Sequence, residues 1–138
     1  MRPAVKATGS VVAGFAVAGA VMMLLEFLNG RILYPELAKA AEGVTDPEAV
    51  RRIFATAPLG ALLVVVAACG LGGLAGGWLT ARLARPLQGP ALALAALLTL
   101  AGVGNNLMLP PPLWFWIATL IALPAGTLLG ARLAASSR

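Results

Sequence analysis

The sequence predicts an all-α integral membrane protein, a bundle of four transmembrane helices in one domain. Its 138 residues are 60% hydrophobic and only 11% charged, whereas soluble domains are about 45–50% apolar. The apolar residues form four stretches, each long enough to cross a ~30 Å hydrocarbon core as a helix. No stretch alternates apolar and polar residues with period two, so transmembrane β-strands are not predicted.

The four predicted spans are joined by short turns except after the first one. The first is expected to remain as an uncleaved signal anchor, because its apolar run is longer than that of a cleaved signal peptide. It ends near Leu28 or continues to Tyr34, and residues 29–58 form an outer loop. The spans cover about Ser10 to Leu28, Leu59 to Leu83, Leu87 to Leu109 and Leu113 to Leu133.

The basic residues predict that both termini lie in the cytoplasm. Six of the ten basic residues lie at the same predicted side of the membrane. They occur at the start of span one, near the turn between spans two and three, and at the end of span four: Arg2, Lys6, Arg82, Arg85, Arg132 and Arg138. The turn between spans three and four, Pro110-Pro111-Pro112, is uncharged. Cytoplasmic segments carry such an excess of Lys and Arg. No basic face with interleaved aromatic residues occurs, so nucleic acid binding is not predicted.

The outer loop contains two predicted short helices. The first runs from Pro35 to Ala41, and the second from about Asp46 to Ala57. Thr45 and Glu48 fit a capping box at the start of the second. The second helix places Val50, Ile53, Phe54 and Ala57 on one side. It is therefore expected to lie in the membrane interface or to fold over the end of the bundle.

Small residues recur every four positions in spans two and four, which predicts close helix packing. The two rows are offset by fifty residues, which predicts two helical hairpins related by a parallel pseudo-repeat. The rows are expected to face each other within one chain or to face a second copy. Pro124 is expected to kink span four. The rows are Ala68, Gly72, Gly76, Thr80 and Ala84, with Cys69, Gly73 and Gly77 beside them, and Ala118, Ala122, Gly126, Gly130 and Ala134.

Glu26 is the one carboxylate inside the apolar stretches, where a charge is costly and often functional. The predicted topology brings Glu26, Asn29, Arg31, Asn105 and Asn106 to the same outer level, where they would form a polar pocket. Two alternatives are simpler. Glu26 would pair with Arg31 or Arg52 as an interfacial anchor, and the two asparagines would cap the end of span three.

Several motifs resemble a family of small four-span bacterial inner-membrane proteins without a known activity. They are the carboxylate late in span one, the following Arg31-Ile32-Leu33-Tyr34-Pro35, the Gly-rich second span, and the Asn before a Pro-rich turn into Leu113-Trp114-Phe115. The resemblance implies a bacterial inner-membrane protein. A Pro-His-Pro turn is common in that family, and this chain has Pro110-Pro111-Pro112 instead. Small multidrug transporters also have four spans and a Glu in the first one, but Glu26 comes late in its span and their other motifs are missing here.

The sequence has no His and a single Cys, Cys69, which is expected to be a packed residue. No catalytic, metal-binding or cofactor-binding pattern is present, so we do not expect an enzyme. The predicted function is that of a structural or accessory subunit, in a homo-oligomer or a larger membrane complex. The alternative is a small transporter or channel for protons, ions or small solutes that uses Glu26.

Overall fold

The computed structural model describes residues 2–136 and shows six α-helices and no strand in that part of the chain. A five-residue π-helical turn, Asn29–Leu33, comes after the first helix. Arg138, which supported the predicted orientation, lies outside the described residues. The helices are α1 Pro3–Leu28, α2 Pro35–Ala41, α3 Pro47–Thr56, α4 Leu59–Ala84, α5 Gly89–Met108 and α6 Leu113–Ser136.

The four predicted spans correspond to the four long apolar helices. The segments long and apolar enough to cross a membrane are Pro3–Leu33, Leu59–Ala84, Gly89–Met108 and Leu113–Ser136. The first begins well before Ser10, because Pro3 occupies the first turn and its fixed φ suits a helix start. The prediction of an all-helical chain with four such helices is confirmed.

The long helices form a layer of three, with α5 lying across it. Helix α4 is central and packs on α6 on one side and on α1 on the other. It runs antiparallel to α1 and parallel to α6. We call the end with Lys6, Arg82, Arg85 and Arg132 the basic end, and the opposite end, with Glu26 and helices α2 and α3, the loop end.

Helix α5 crosses this layer obliquely. Towards the basic end its Leu94 packs near Gly14 of α1, and Leu94 and Leu98 form the core with Ala18 and Leu123. Towards the loop end α5 contacts α6 instead, where Asn106 bonds to Thr119. Helix α5 therefore diverges from α1 at the loop end and from α6 at the basic end.

The glycines of α4 set the spacing between the helices of the layer. A Cβ atom on Gly72 would lie 2.9 Å from the carbonyl oxygen of Ala18 in α1. A Cβ atom on Gly73 would lie 2.9 Å from the carbonyl oxygen of Leu123 in α6. Each distance is too short for a real contact, so a side chain at either position would push the helices apart. The two neighbouring rows of α4 thus allow two helices to approach its backbone at once.

The rows offset by fifty residues do not face each other, contrary to one of the sequence-based expectations. Gly72 and Gly76 of α4 face α1, whereas Gly126 and Gly130 of α6 lie against the backbone of α4 at Gly70 and Leu74. The two rows thus meet different neighbours. The reason is that α4 lies between α1 and α6, so α6 turns its small residues towards α4.

Polar bonds join the helices at the basic end. The Thr80 hydroxyl donates to the Ser10 carbonyl oxygen at 3.0 Å. The Lys6 ammonium donates to the carbonyl oxygen of Arg85, and the Arg85 guanidinium donates to that of Ala134. The carbonyl group of Ala134 is in the last turn of α6, where carbonyls lack helical partners. The bonds of Lys6 and Arg85 therefore link α1, the α4–α5 turn and α6.

We predict that Gly77→Ala destabilises the protein by about 1–3 kcal/mol, the usual cost of overpacking a tight core. The added Cβ would collide with the backbone of Thr127 in α6. The measurement is reversible unfolding in detergent or bicelles. Gly70→Ala is the matched control, because its Cβ would have no atom within 4 Å. Equal stability of the two variants would contradict the packing described for α4 and α6.

Candidate functional site

The first span ends in the π-helical turn, which fixes its end against α4. The Tyr34 N–H donates to the Asn29 carbonyl oxygen at 2.7 Å. The Asn29 side chain is buried and donates through Nδ2 to the carbonyl oxygen of Ala61 at 3.1 Å. Its Oδ1 is buried without a hydrogen-bond partner among the described residues. Asn29 therefore holds the end of α1 to the start of α4.

The divergence of α1 and α5 at the loop end leaves a cleft of about 310 Å³. Four residues of one face of α1 line it, spaced at helical intervals: Phe15, Gly19, Met22 and Glu26. The other lining residues are Val65 and Cys69 of α4, Leu98, Ala101, Gly102, Asn105 and Asn106 of α5, and Phe115, Thr119 and Leu123 of α6. We call this space the Glu26 cleft. Its walls are mostly apolar, and its polar groups are few.

Asn106 and Thr119 form a buried polar pair in the Glu26 cleft. Asn106 is 2% exposed, and its Nδ2 donates to Thr119 Oγ1 at 3.1 Å. The Thr119 hydroxyl in turn donates to the carbonyl oxygen of Phe115 at 2.9 Å. The Asn106 amide thus joins α5 to α6 and does not cap its own helix. That helix end is closed by the backbone, where the Leu109 N–H donates to the Asn105 carbonyl oxygen.

Glu26 lies at the mouth of the cleft with an exposed side chain. Within residues 2–136 it forms no ion pair, and the described ion pairs are Lys39–Glu36 and Arg51–Glu48 in the loop helices. The predicted pairing with Arg31 or Arg52 is therefore not observed. Arg31 is five residues after Glu26 and so leaves its helix face. The Arg31 guanidinium stacks on the Phe27 ring, 5.5 Å from its centre.

The structure brings three of the five predicted pocket residues together and separates the other two. Glu26, Asn105 and Asn106 line the cleft. Asn29 does not, because the π-helical turn directs its amide to α4, and Arg31 does not, because it lies over Phe27. The prediction of a five-residue pocket is wrong in these two positions.

Sequence reasoning missed Thr119 as a partner of Asn106. The two residues lie within about two helical turns on either side of the triple proline, so a helical hairpin places them at the same level. A hydroxyl at that level in span four was the available clue. The sequence did not indicate that Phe15 and Phe115 line the cleft, because an aromatic residue in an apolar span is equally consistent with lipid contact.

Helix α3 folds over the end of the bundle, next to the cleft. Its Phe54 ring packs on that of Phe115 at 5.5 Å between centres, and Val50 is buried. This agrees with the predicted apolar side of the helix and with the second of its two expected positions. The predicted capping residue is corrected: Asp46, not Thr45, caps α3, and its carboxylate accepts from the Ala49 N–H at 3.3 Å.

The cleft has the groups to hold a cation or a hydrogen-bond donor. One carboxylate, two side-chain amides and a hydroxyl group line it, those of Glu26, Asn105, Asn106 and Thr119. Among the described residues, no three His, Cys, Asp or Glu side chains cluster as metal ligands would. Cys69 is a half-buried part of the wall. The arrangement suits binding by charge and shape more than covalent chemistry.

We predict that Thr119→Val destabilises the protein by about 0.6–1.7 kcal/mol, the range for hydrogen bonds between membrane helices. The change keeps the shape of the side chain but leaves the buried Asn106 amide without its partner. Thr99→Val is the matched control, since Thr99 bonds only to Ala95 of its own helix. A double-mutant cycle with Asn106→Leu measures the coupling, and a coupling near zero would contradict the pairing.

Comparisons with protein-family models, curated proteins and solved structures found no match to this chain. Any proposal of function therefore depends on the geometry of the Glu26 cleft and on the distribution of charge.

Proposed function

We propose that the chain is a non-enzymatic, multi-pass protein of the bacterial inner membrane with both termini in the cytoplasm. It acts as a structural or accessory subunit, in a homo-oligomer or a larger membrane complex. The four apolar helices support the membrane location. The basic end, with Lys6, Arg82, Arg85 and Arg132, supports the orientation, because cytoplasmic ends carry such an excess.

The observation that carries the proposal is the position of Glu26. Glu26 is an exposed residue of α1 that also lines the cleft, and no described basic residue pairs with it. A carboxylate in an apolar environment is costly unless it is paired. A second membrane helix that brings a cation to Glu26 would remove that cost. The resulting ion pair would strengthen the association of the two helices.

A second copy of the chain carries a suitable cation. Arg31 is exposed, lies in the π-helical turn at the loop end, and is five residues after Glu26 on the same helix. In a two-fold symmetric pair, the surface of one copy meets the same surface of the other. Glu26 of each copy would then pair with Arg31 of the other. Only Ser10, Gly14 and Ala18 of α1 are buried in the monomer, so α1 is free to form such a contact.

The test is the oligomeric state of the full chain in mild detergent and in nanodiscs, measured by native mass spectrometry across a dilution series. The wild type is expected to be a dimer or higher oligomer. Glu26→Gln is expected to weaken association about tenfold or more, since an interhelical polar contact contributes about 1–2 kcal/mol. Glu36→Gln, in a loop helix, is the control and should leave association unchanged.

A charge exchange makes this test specific. Glu26→Arg and Arg31→Glu should each weaken association, and the double variant in one chain should restore it, because both pairs then have opposite charges again. A monomeric wild type would overturn the homo-oligomer. An oligomer whose stability is unchanged by Glu26→Gln, Glu26→Arg, Arg31→Glu and the double variant would overturn the role of Glu26 in association. A fixed complex with another membrane protein would identify the larger assembly instead.

The polar pair inside the cleft favours a second candidate, a small transporter or channel for protons, ions or small solutes. Asn106 and Thr119 line the same cleft as Glu26, and their oxygen atoms could bind a transported cation there.

Proteoliposomes with an imposed potential and an internal pH dye test the second candidate. Glu26→Gln is expected to abolish proton flux, and Glu36→Gln to preserve it. No flux above that of empty liposomes, with both protons and K⁺ as probes, would remove this candidate. Flux that survives Glu26→Gln would also reject the proposed role of that residue.

A further inference from the structure

A second space lies at the basic end, on the other side of α5. There α5 and α6 diverge and enclose a groove of about 920 Å³, open to the side. Its walls are apolar residues of the two helices: Ala91 and Leu92 of α5, and Ala125, Leu128 and Leu129 of α6. Its mouth is polar, with Arg85, Gln88 and Arg132. We call it the basic groove.

The charged side chains that line the basic groove are both positive, Arg85 and Arg132. The five acidic side chains of the chain are those of Glu26, Glu36, Glu42, Asp46 and Glu48, and all of them belong to the loop end. Among residues 2–136, no carboxylate side chain is therefore available near the mouth of the groove to neutralise the two guanidinium groups. A ligand that enters between these two guanidinium groups would be favoured by a negative charge.

Arg85 is held in place at this mouth. Its guanidinium donates to the carbonyl oxygen of Ala134 in α6, and its own carbonyl oxygen accepts from the Lys6 ammonium. A guanidinium group has five N–H donors in a fixed plane, and the bond to Ala134 uses one of its two NH₂ groups. Such a group binds phosphate oxygens well, because its geometry matches theirs. Arg132 of α6 is exposed and also lines the groove.

The start of α5 adds a third positive feature. The helix begins at Gly89, its first turn contains no acidic residue, and Gln88 makes no side-chain capping bond. The first N–H groups of a helix lack internal partners and carry the positive end of the helix dipole. They lie beside the groove mouth, because Gln88 and Ala91 line it.

We propose that the basic groove binds an anionic phospholipid of the leaflet at the basic end. The phosphate group lies between Arg85 and Arg132, near the start of α5. One acyl chain lies between Leu92 and Leu128, along the apolar walls. The combination selects a lipid over a free anion, since the charged mouth opens directly onto an apolar groove within the membrane-spanning helices.

Native mass spectrometry of the full chain with added palmitoyl-oleoyl phosphatidylglycerol tests the proposal. The wild type is expected to retain this lipid and to bind palmitoyl-oleoyl phosphatidylcholine more weakly. Arg132→Gln is expected to lower affinity for phosphatidylglycerol about fivefold, the usual effect of one basic residue near an anionic lipid surface. Arg82→Gln is the matched control: it removes a charge from the same end, outside the groove, and should change affinity much less.

Two further experiments distinguish lipid binding in the groove from non-specific attraction to a basic surface. Ala125→Trp fills the groove without a change in charge and should also reduce lipid retention. Glycerol phosphate, which has the anion without the acyl chains, should not displace the lipid at equal concentration. Helix content and elution volume confirm that each variant folds. Equal losses in Arg132→Gln and Arg82→Gln, no effect of Ala125→Trp, or displacement by glycerol phosphate would each overturn the proposal.

Discussion

The close approach of α4 to both α1 and α6 is the constraint on which the rest of the structure depends. Lipid tails are as apolar as the side chains, so burial of apolar surface contributes little to helix association in a membrane. Close contact between helix backbones therefore has to supply most of the favourable free energy of helix association. Gly72 and Gly76 allow α1 to reach α4, and Gly73 and Gly77 allow α6 to do so. The two neighbouring rows of α4 are thus both covered by helix backbone.

Helix α5 packs on this layer. It contacts α1 near one end, where Leu94 approaches Gly14, and α6 near the other, where Asn106 bonds to Thr119. Leu94 and Leu98 fill the crossing point against Ala18 and Leu123. Two wedge-shaped spaces then remain on opposite sides of α5 and at opposite ends of the molecule. The Glu26 cleft and the basic groove are these two spaces, so one oblique helix accounts for both candidate sites.

The sequence predicted the helices well and their neighbours poorly. Length and hydropathy are local properties, and they placed the four long helices to within a few residues, except for the start of α1, which lies at Pro3 and not near Ser10. Turn and capping residues placed α2 and α3 equally well. The small-residue rows also marked a real feature of α4. Which helix each row meets is a three-dimensional question, and the fifty-residue offset suggested the wrong pairing, because Ala, Gly and Leu dominate every span.

The candidate site shows a similar limit. The sequence predicted at which height along the bundle each residue lies, but not where its side chain points. Topology alone placed Glu26, Asn105 and Asn106 at one level, and they do line one cleft. Asn29 and Arg31 share that level but point elsewhere: the Asn29 amide bonds to Ala61 of α4, and the Arg31 guanidinium lies over the Phe27 ring. Hydropathy and level contain no information on these two directions. Arg31 is exposed and forms no ion pair with the carboxylate of its own chain within residues 2–136. In the proposed dimer, it is for that reason available to Glu26 of the neighbouring copy.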